Sequence, residues 1–379
     1  MTKSTKLDKS LLVVMFIFII FGLIMILSAS SMASYMRYHN SIYYYLIRQG
    51  IFILIGLVAF LIAIYFPTKV FKKTSPFLML LLLASLFGLM VYGSNFFGSQ
   101  SWYDLGFITI QPSELGKIIV ILFLAYYYEK HRLELDNQWH LLFPLIVSTI
   151  VIFLVAMQPD FGTAAVFIGI ILSIFYALPL KRKTRKPINR IFIGSILLLA
   201  LITILTGGSF LRDYQLKRFE FMHPCERYED KTGYQLCNSI IALKNGGLTG
   251  KGIGESTQKY LYLPESHTDF IFPIIIEEWG LIVGIIILFL YLFMLYRIIN
   301  IAKNSDNLGN AIIAYGVCAY LLFHIAINLI GTLNIGPLTG IPLPFLSYGG
   351  SYTITLLFSM GLVQRVHYET YKKQKNKEK

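Results

Sequence analysis

Long apolar runs follow one another along this chain, separated by short polar stretches. About 20 consecutive apolar residues span the ~30 Å hydrocarbon layer of a bilayer. A segment that crosses lipid must be a helix or part of a closed barrel, because its backbone groups find no water there. The pattern therefore predicts about ten transmembrane helices. The predicted spans are Leu11–Ser30, Gly50–Phe66, Ser75–Tyr92, Ser113–Tyr128, Leu141–Met157, Thr163–Leu178, Ile191–Leu205, Phe270–Tyr296, Ala311–Ile330 and Tyr348–Val366.

The composition also indicates a membrane protein. Of the 379 residues, 56% are hydrophobic and 14% are charged, and the mean hydropathy is +0.64. Soluble domains average about 25% charged residues. A chain so poor in charge could not cover its apolar surface in water. We therefore expect an all-α polytopic membrane protein, with a single membrane domain over residues 1–379.

The formal charge of +13 suggests nucleic-acid binding, but the distribution of the basic residues indicates membrane topology instead. With the N-terminus inside the cell, 22 of the 33 Lys and Arg residues fall in cytoplasmic segments, including the cluster Lys181–Arg190 and a tail at 367–379. This positive-inside pattern predicts that both termini are cytoplasmic. The cluster is typical of a topology anchor that contacts lipid headgroups. No nucleic-acid partner is predicted.

One outer connection, residues 206–268 between the seventh and eighth predicted spans, is long. Loops of this length are usually functional or disordered. Its Tyr, Phe and Leu residues and its glycines favour a segment ordered against the helix bundle. Cys225 and Cys237 either form a disulfide outside the cell or stay free, and the pattern leaves both open. No zinc motif is present, so no metal ligands are predicted.

Ionisable residues in or beside the spans gather at the outer ends. Charged groups there cost a few kcal/mol and usually face a water-filled cavity. They are Arg48, Glu114, Lys117, Asp160 and Asp269. Glu114 and Lys117 lie three residues apart on one helical face, so a structural ion pair is an equal alternative to a role in shaping a cavity. For Asp160 and Asp269, capping of a helix N-terminus is the structural alternative.

The outer segments carry a resemblance to a known family. Four motifs resemble those of the SEDS family (shape, elongation, division and sporulation), the membrane peptidoglycan polymerases. They are Gln111–Lys117, Gln158–Thr163, Gly246–Phe272 and Gly340–Gly350. Their order along the chain, the ten helices and the large loop after the seventh also resemble the family. Gln258–Tyr260 and Tyr262–Glu265 are most similar to the FtsW cell-division branch. Trp279 departs from the family pattern, where leucine is usual.

The resemblance implies a glycosyltransferase of the bacterial cytoplasmic membrane that polymerises lipid II, a disaccharide-pentapeptide carried on undecaprenyl pyrophosphate. A β-1,4 link made from an α-linked pyrophosphate inverts the anomeric carbon. Such a displacement needs a carboxylate to take the proton of the attacking hydroxyl, and positive charge at the leaving pyrophosphate. By resemblance Asp269 is the general base. Substrate or pyrophosphate contacts are predicted for Arg48, Lys117, Lys251, Lys259, His267 and Ser347, and cavity-shaping roles for Glu114, Asp160 and Glu265.

The resemblance also implies partners: a class B penicillin-binding transpeptidase and other division proteins. Mg²⁺ bridging the substrate pyrophosphate is the one cofactor that the chemistry suggests. Three alternatives stay open. An elongation-type polymerase like RodA would share the chemistry, a lipid II flippase would need a path to the cytoplasmic leaflet, and a noncatalytic division scaffold would not need Asp269.

Overall fold

Helices make up most of the computed structural model, which describes residues 6–38, 41–96, 99–104, 106, 109–190, 221–229, 231–260 and 262–377. The helices are α1 Lys9–Tyr38, α2 Tyr44–Tyr65, α3 Thr68–Tyr92, α4 Pro112–Lys130, α5 Gln138–Met157, α6 Phe161–Ala177, α7 Lys231–Gly246, α8 Ile271–Lys303, α9 Leu308–Thr332 and α10 Gly350–Lys377. A further helical stretch covers residues 182–190. The seventh predicted span, Ile191–Leu205, lies outside the described residues.

The other nine predicted spans each fall within a helix, apart from at most two terminal residues. Within the described residues, six helices (α1, α2, α3, α5, α8 and α9) are long and apolar enough to cross a membrane. The fourth and tenth predicted spans lie in α4 and α10, which carry more polar residues, and the sixth lies in α6, which has 17 residues. Arg48 does not precede the second helix, since α2 begins at Tyr44 and places it in the second turn.

A small sheet in the connection from α3 to α4 was not expected of an all-α chain. Strands β1 Ser94–Phe96, β2 Ser99–Asp104 and β3 Thr109–Ile110 pair antiparallel in the order β1-β2-β3. The hydroxyl of Tyr103 donates to the carbonyl of Ser85 at 2.8 Å and fastens the sheet to α3. These strands lie between the apolar runs, where backbone groups that no helix satisfies must find other partners.

Helix α9 is the most enclosed of the six apolar helices. In its most apolar stretch 67% of the residues are buried, against 28–44% in the other five. It contacts α4, α6, α8 and α10. Large apolar side chains such as Leu54, Phe87 and Phe289 point outward with 62–66% of their surface exposed. An apolar surface of this extent is unfavourable in water and suits lipid. The chain is a multi-pass membrane protein.

The described part of the long connection is ordered. It contains the 3-10 turn Pro224–Arg227 and α7, which the Cys225–Cys237 disulfide joins. The glycine-rich segment that follows lies along α8, where the amides of Lys251 and Gly252 donate to the carbonyls of Glu277 and Glu278 at 2.9 and 3.0 Å. Residues 206–220 of the connection lie outside the described part.

This contact requires a break in α8. Gly280 has φ 82° and interrupts the helix. A Cβ atom there would overlap the carbonyl oxygen of Leu248. Glycine tolerates both the positive φ and the close approach. The predicted eighth span is therefore two helical pieces that meet where the loop docks.

Candidate active site

A cavity of about 340 Å³ lies where four distant segments of the chain meet. Each of the four family-like motifs contributes to its wall. The carboxylates Glu114, Asp160, Glu265 and Asp269 line it, together with residues that include Gln111, Thr268, Gly340, Tyr348 and Ser351. The lining thus joins the start of α4, the turn before α6, the approach to α8 and the segment before α10.

Asp269 lies in the turn just before α8. The N-cap of α8 is the next residue, Phe270, whose side chain makes no capping hydrogen bond. The backbone of Asp269 is held by Asn328 of α9, whose Nδ2 donates to the carbonyl of Asp269 at 2.8 Å and to that of Ile341 at 2.7 Å. One buried amide therefore fixes the approach to α8 against the segment that carries Gly340.

Gly340 gives the Asp269 carboxylate its space. It has φ +74°, and a Cβ atom built on it would stand 3.2 Å from Oδ2 of Asp269. That separation is tighter than ordinary van der Waals contact. The carboxylate of Asp269 therefore lies against the open Cα of a glycine, on the wall of the cavity.

Asp160 caps a helix, which is the structural alternative given for it above, and it also lines the cavity. Its Oδ1 accepts from the amide of Thr163 at 3.1 Å at the start of α6, and its Oδ2 accepts from Nε2 of Gln111 at 3.0 Å. This carboxylate joins the beginnings of α4 and α6. Both of its oxygens hold the wall in place.

Glu114 and Lys117 form the predicted ion pair, at 2.6 Å between Oε1 and Nζ. Lys117 is fully buried, and its Nζ also lies 2.9 Å from Nε2 of His324 and faces the rings of Tyr320 and Tyr352. Glu114 lines the cavity, whereas Lys117 lies behind it. The ammonium therefore acts on the cavity through Glu114.

Lys251 and Lys259 face two glutamates of α8 instead of the cavity. Nζ of Lys259 lies 2.9 Å from Oε1 of Glu278 and 3.0 Å from Oγ of Ser28, and its side chain is almost fully buried. Nζ of Lys251 lies 3.3 Å from Oε1 of Glu277. Glu277 also accepts hydrogen bonds from Ser256, Thr257, Asn245 and the amide of Gln258. The two lysines fasten the loop to α8.

Ser347, His267 and Arg48 build the wall around Tyr348, which lines the cavity. Oγ of Ser347 donates to the carbonyl of Thr268 at 2.6 Å and accepts from the amide of Leu343 at 2.8 Å. The ring of His267 packs against those of Tyr45 and Tyr348, with centroids 4.4 and 5.7 Å away. Arg48 donates to the hydroxyl of Tyr44 at 2.8 Å and interacts with Tyr348.

Sequence reasoning missed several residues of this site. His324 and Asn328 lie inside a predicted span, and a buried imidazole or amide in an apolar helix is costly enough to mark both. Glu277 and Glu278 could have been found in the same way, because two carboxylates within the eighth predicted span are also costly. Gln111 lies in one of the four family-like motifs, but only its hydrogen bond to Asp160 shows that it joins two walls of the cavity.

The carboxylates of the cavity do not form a ready cation cage. Among the described residues, no three of them bring their oxygens within 4.8 Å of one another. Resident Ca²⁺ or Mg²⁺ sites gather several oxygen ligands around one point. The donor set therefore does not suit a metal ion held by the protein alone.

Comparison with known proteins shows which family this chain is similar to. Residues 8–372 match the family of cell cycle proteins that groups FtsW, RodA and SpoVE. The chain is 35% identical over 377 residues to the "Probable peptidoglycan glycosyltransferase FtsW" of Bacillus subtilis, covering 97% of this chain and 93% of the relative. The protein of the same name from Coxiella burnetii is 35% identical over 356 residues, with 92% and 93% covered.

A solved structure shares the fold. It is described as "Structural coordination of polymerization and crosslinking by a peptidoglycan synthase complex". One of its chains superposes with a TM-score of 0.77 at 24% identity, covering 97% of this chain and 99% of that one.

Proposed function

The chain belongs to the FtsW/RodA/SpoVE family of cell cycle proteins, and we infer that it is a peptidoglycan glycosyltransferase of the FtsW type that serves cell division. The full-length similarity to proteins of that name supports the activity. The observation that carries the assignment is the cavity itself. All four family-like motifs meet there around Asp269.

The reaction assigned to the cavity is the polymerisation of lipid II. The 4-hydroxyl of one sugar attacks the anomeric carbon of another, and the bond from that carbon to the pyrophosphate oxygen breaks, with its electron pair leaving on the pyrophosphate. Asp269 takes the hydroxyl proton as general base. Its position supports this role, because Asn328 holds its backbone and Gly340 leaves its carboxylate room at the cavity wall.

The membrane topology completes the proposal. In this proposal the chain crosses the membrane about ten times, with both termini in the cytoplasm and the cavity at the outer leaflet of the cytoplasmic membrane. There the polyprenyl tail of lipid II stays in the bilayer while its sugars reach the polar wall. The positive-inside distribution of Lys and Arg supports this orientation.

Positive charge for the leaving pyrophosphate comes from Arg48 in this proposal, since Arg48 interacts with the lining residue Tyr348. A cation close to the departing oxygens lowers the barrier. The cavity carboxylates do not gather around one point, so we assign Mg²⁺ to the substrate: it would enter with the pyrophosphate and would supply positive charge to the leaving group.

The described residues at the opposite end of the bundle give no support to a transport function. Buried polar groups there pair with one another. Lys72 pairs with Glu129 and donates to Asn310, and Arg297 pairs with Asp8 at 2.6 Å. These contacts tie α3 to α4 and α9, and the start of α1 to α8. A flippase would need a polar path at this end, where these side chains are instead paired with one another.

A class B penicillin-binding transpeptidase is the partner we assign, because a polymerase makes uncrosslinked glycan that a second enzyme must join. The fold shared with a chain of a peptidoglycan synthase complex is compatible with such an assembly. Other division proteins would recruit the pair to the septum.

The test compares lipid II polymerisation by the wild type, Asp269→Asn and Asp104→Asn, each alone and with the transpeptidase. Asp104 is an exposed carboxylate of β2 and serves as the matched control. We expect glycan chains from the wild type and the control, and at least about 100-fold less from Asp269→Asn, the lower range for loss of a general base. Equal product from Asp269→Asn would remove Asp269 as the base. No product from any preparation would overturn the polymerase assignment.

A further inference from the structure

Two histidines and a glutamate meet on the far side of the bundle from the cavity, in the connection between α4 and α5. His131 follows the last residue of α4, His140 lies in the first turn of α5, and Glu134 stands between them. Among the residues that the structure describes, this is the one group of three such side chains whose ligand atoms all lie within 4.8 Å of one another.

The spacing of these atoms suits a single ion. Oε2 of Glu134 lies 3.4 Å from Nδ1 of His131 and 3.0 Å from Nε2 of His140. Zinc binds imidazole nitrogen and carboxylate oxygen at about 2.0–2.2 Å with tetrahedral angles, which puts neighbouring ligand atoms about 3.3 Å apart. One carboxylate oxygen therefore already stands at a ligand-to-ligand distance from both imidazoles.

The surroundings orient the two rings. They stack on each other with centroids 4.2 Å apart, and the ring of Tyr127 packs against that of His131 at 4.7 Å. The hydroxyl of Tyr127 lies 3.4 Å from Nδ1 of His140, which leaves Nε2 facing Glu134. Metal-binding histidines usually have such a partner on the second nitrogen.

We propose that His131, Glu134 and His140 bind a divalent transition-metal ion of the Zn²⁺ class, which clamps the connection between α4 and α5. Two imidazoles favour Zn²⁺ and its neighbours over Mg²⁺ or Ca²⁺, which prefer oxygen. The two histidine side chains are 21% and 22% exposed and that of Glu134 is 63% exposed, so an ion can enter and a water molecule can complete the tetrahedron. The site is independent of the polymerase assignment.

The test measures zinc on the full-length protein in detergent, purified without a histidine tag and stripped with a chelator. After addition of ZnCl₂ and desalting, we expect one zinc per chain by mass spectrometry, and none retained by His131→Ala/His140→Ala. Co²⁺ in place of zinc should give visible absorption of a tetrahedral site. Tyr127→Phe should weaken binding by about 10-fold, the lower range for loss of a second-shell partner.

His223→Ala is the matched control. His223 and Glu226 have the same three-residue spacing as His131 and Glu134, with 3.7 Å between Nδ1 and Oε1. Both side chains are largely exposed, and they lie in the long connection before α7. This variant should keep its zinc. Glu134→Gln changes a mostly exposed side chain, so it tests the site even where the double variant fails to fold, and it should also lose stoichiometric zinc. A wild type that retains no zinc, or a Glu134→Gln variant that retains it equally well, would overturn the proposal.

Discussion

Asn328 holds Asp269 by its main chain: Nδ2 of the amide lies 2.8 Å from the carbonyl oxygen of the aspartate. The same nitrogen donates to Ile341 at 2.7 Å, so one side chain of α9 spans two walls of the cavity. The contact involves no atom of the reacting carboxylate. It nevertheless sets where that carboxylate stands, because Asp269 lies in a turn before α8 and not within a helix.

Asn328→Asp keeps the shape of this side chain and replaces the donor with an acceptor. The buried carbonyl of Ile341 would then lose its partner, at about 1–3 kcal/mol, and the part-buried carbonyl of Asp269 would lose its partner as well. A displaced Asp269 should lower polymerisation by about 100-fold. Thr332→Val is the control, since Thr332 lies one turn further along α9 and donates to the carbonyl of Asn328 alone. Lipid II polymerisation and thermal unfolding are measured for both. Full activity in Asn328→Asp would refute the positioning role.

Gly340→Ala tests the space around the Asp269 carboxylate. Gly340 and Gly106 both have positive φ, +74° and +84°, but only Gly340 has the aspartate beside it, and Gly106 has nothing within 4 Å. Alanine at either position should cost about 1–2 kcal/mol in stability from the left-handed backbone. Only Gly340→Ala should also lose polymerase activity. An equal loss of activity in both variants would show that strain, and not contact with Asp269, is responsible.

Lys259→Met separates a structural lysine from one that binds pyrophosphate. Lys259 is 4% exposed and pairs with the buried Glu278, so its removal leaves a buried charge without its partner, at about 3–5 kcal/mol. Lys251→Met should cost only about 0–1 kcal/mol, because Lys251 is partly exposed and Glu277 keeps its four other hydrogen bonds. Thermal unfolding is compared with the KM for lipid II. A raised KM with unchanged unfolding in Lys259→Met would instead support the pyrophosphate contact.

Glu369, in the tail of α10, should make stability depend on pH. Burial raises the pKa of its carboxyl, but hydrogen bonds from Thr68, Arg365 and Asn310 outweigh this and hold the pKa below its ordinary 4.5. The unfolded chain then takes up its proton first as the pH falls. The stabilisation is therefore present above pH 4.5 and is lost as the pH falls through the folded pKa.

Glu369→Gln should accordingly unfold at a lower temperature than the wild type near neutral pH, and the gap should narrow below pH 4.5. Asp306→Asn is the control. A hydrogen bond from Lys377 lowers the pKa of Asp306 as well, but this pair is largely exposed, and solvent screening should make its effect small. If the difference in unfolding temperature between the wild type and Glu369→Gln stayed constant from neutral pH to below pH 4.5, the lowered pKa of Glu369 would be contradicted.

Local features of the chain were predictable because each depends on residues close in sequence. Nine predicted spans fall on helices, since lipid demands long apolar runs whatever their neighbours are. The cap at Asp160 and the pair Glu114–Lys117 both join residues three apart. The role of Asp269 as general base came from the family resemblance, because no local pattern distinguishes this residue from a helix cap. The three short strands before α4 escaped prediction, because apolar periodicity marks only the helices.

Sequence alone therefore determined that the chain is a membrane protein, which family it resembles and which motifs carry its polar chemistry. Only the tertiary structure decided which of those residues share a cavity. Asn328 reaches Asp269 across 59 positions, and Lys259 meets Glu278 only because Gly280 breaks α8 and lets the loop lie along it. Such contacts depend on how whole helices pack, and no periodicity or cap within a few residues records that packing.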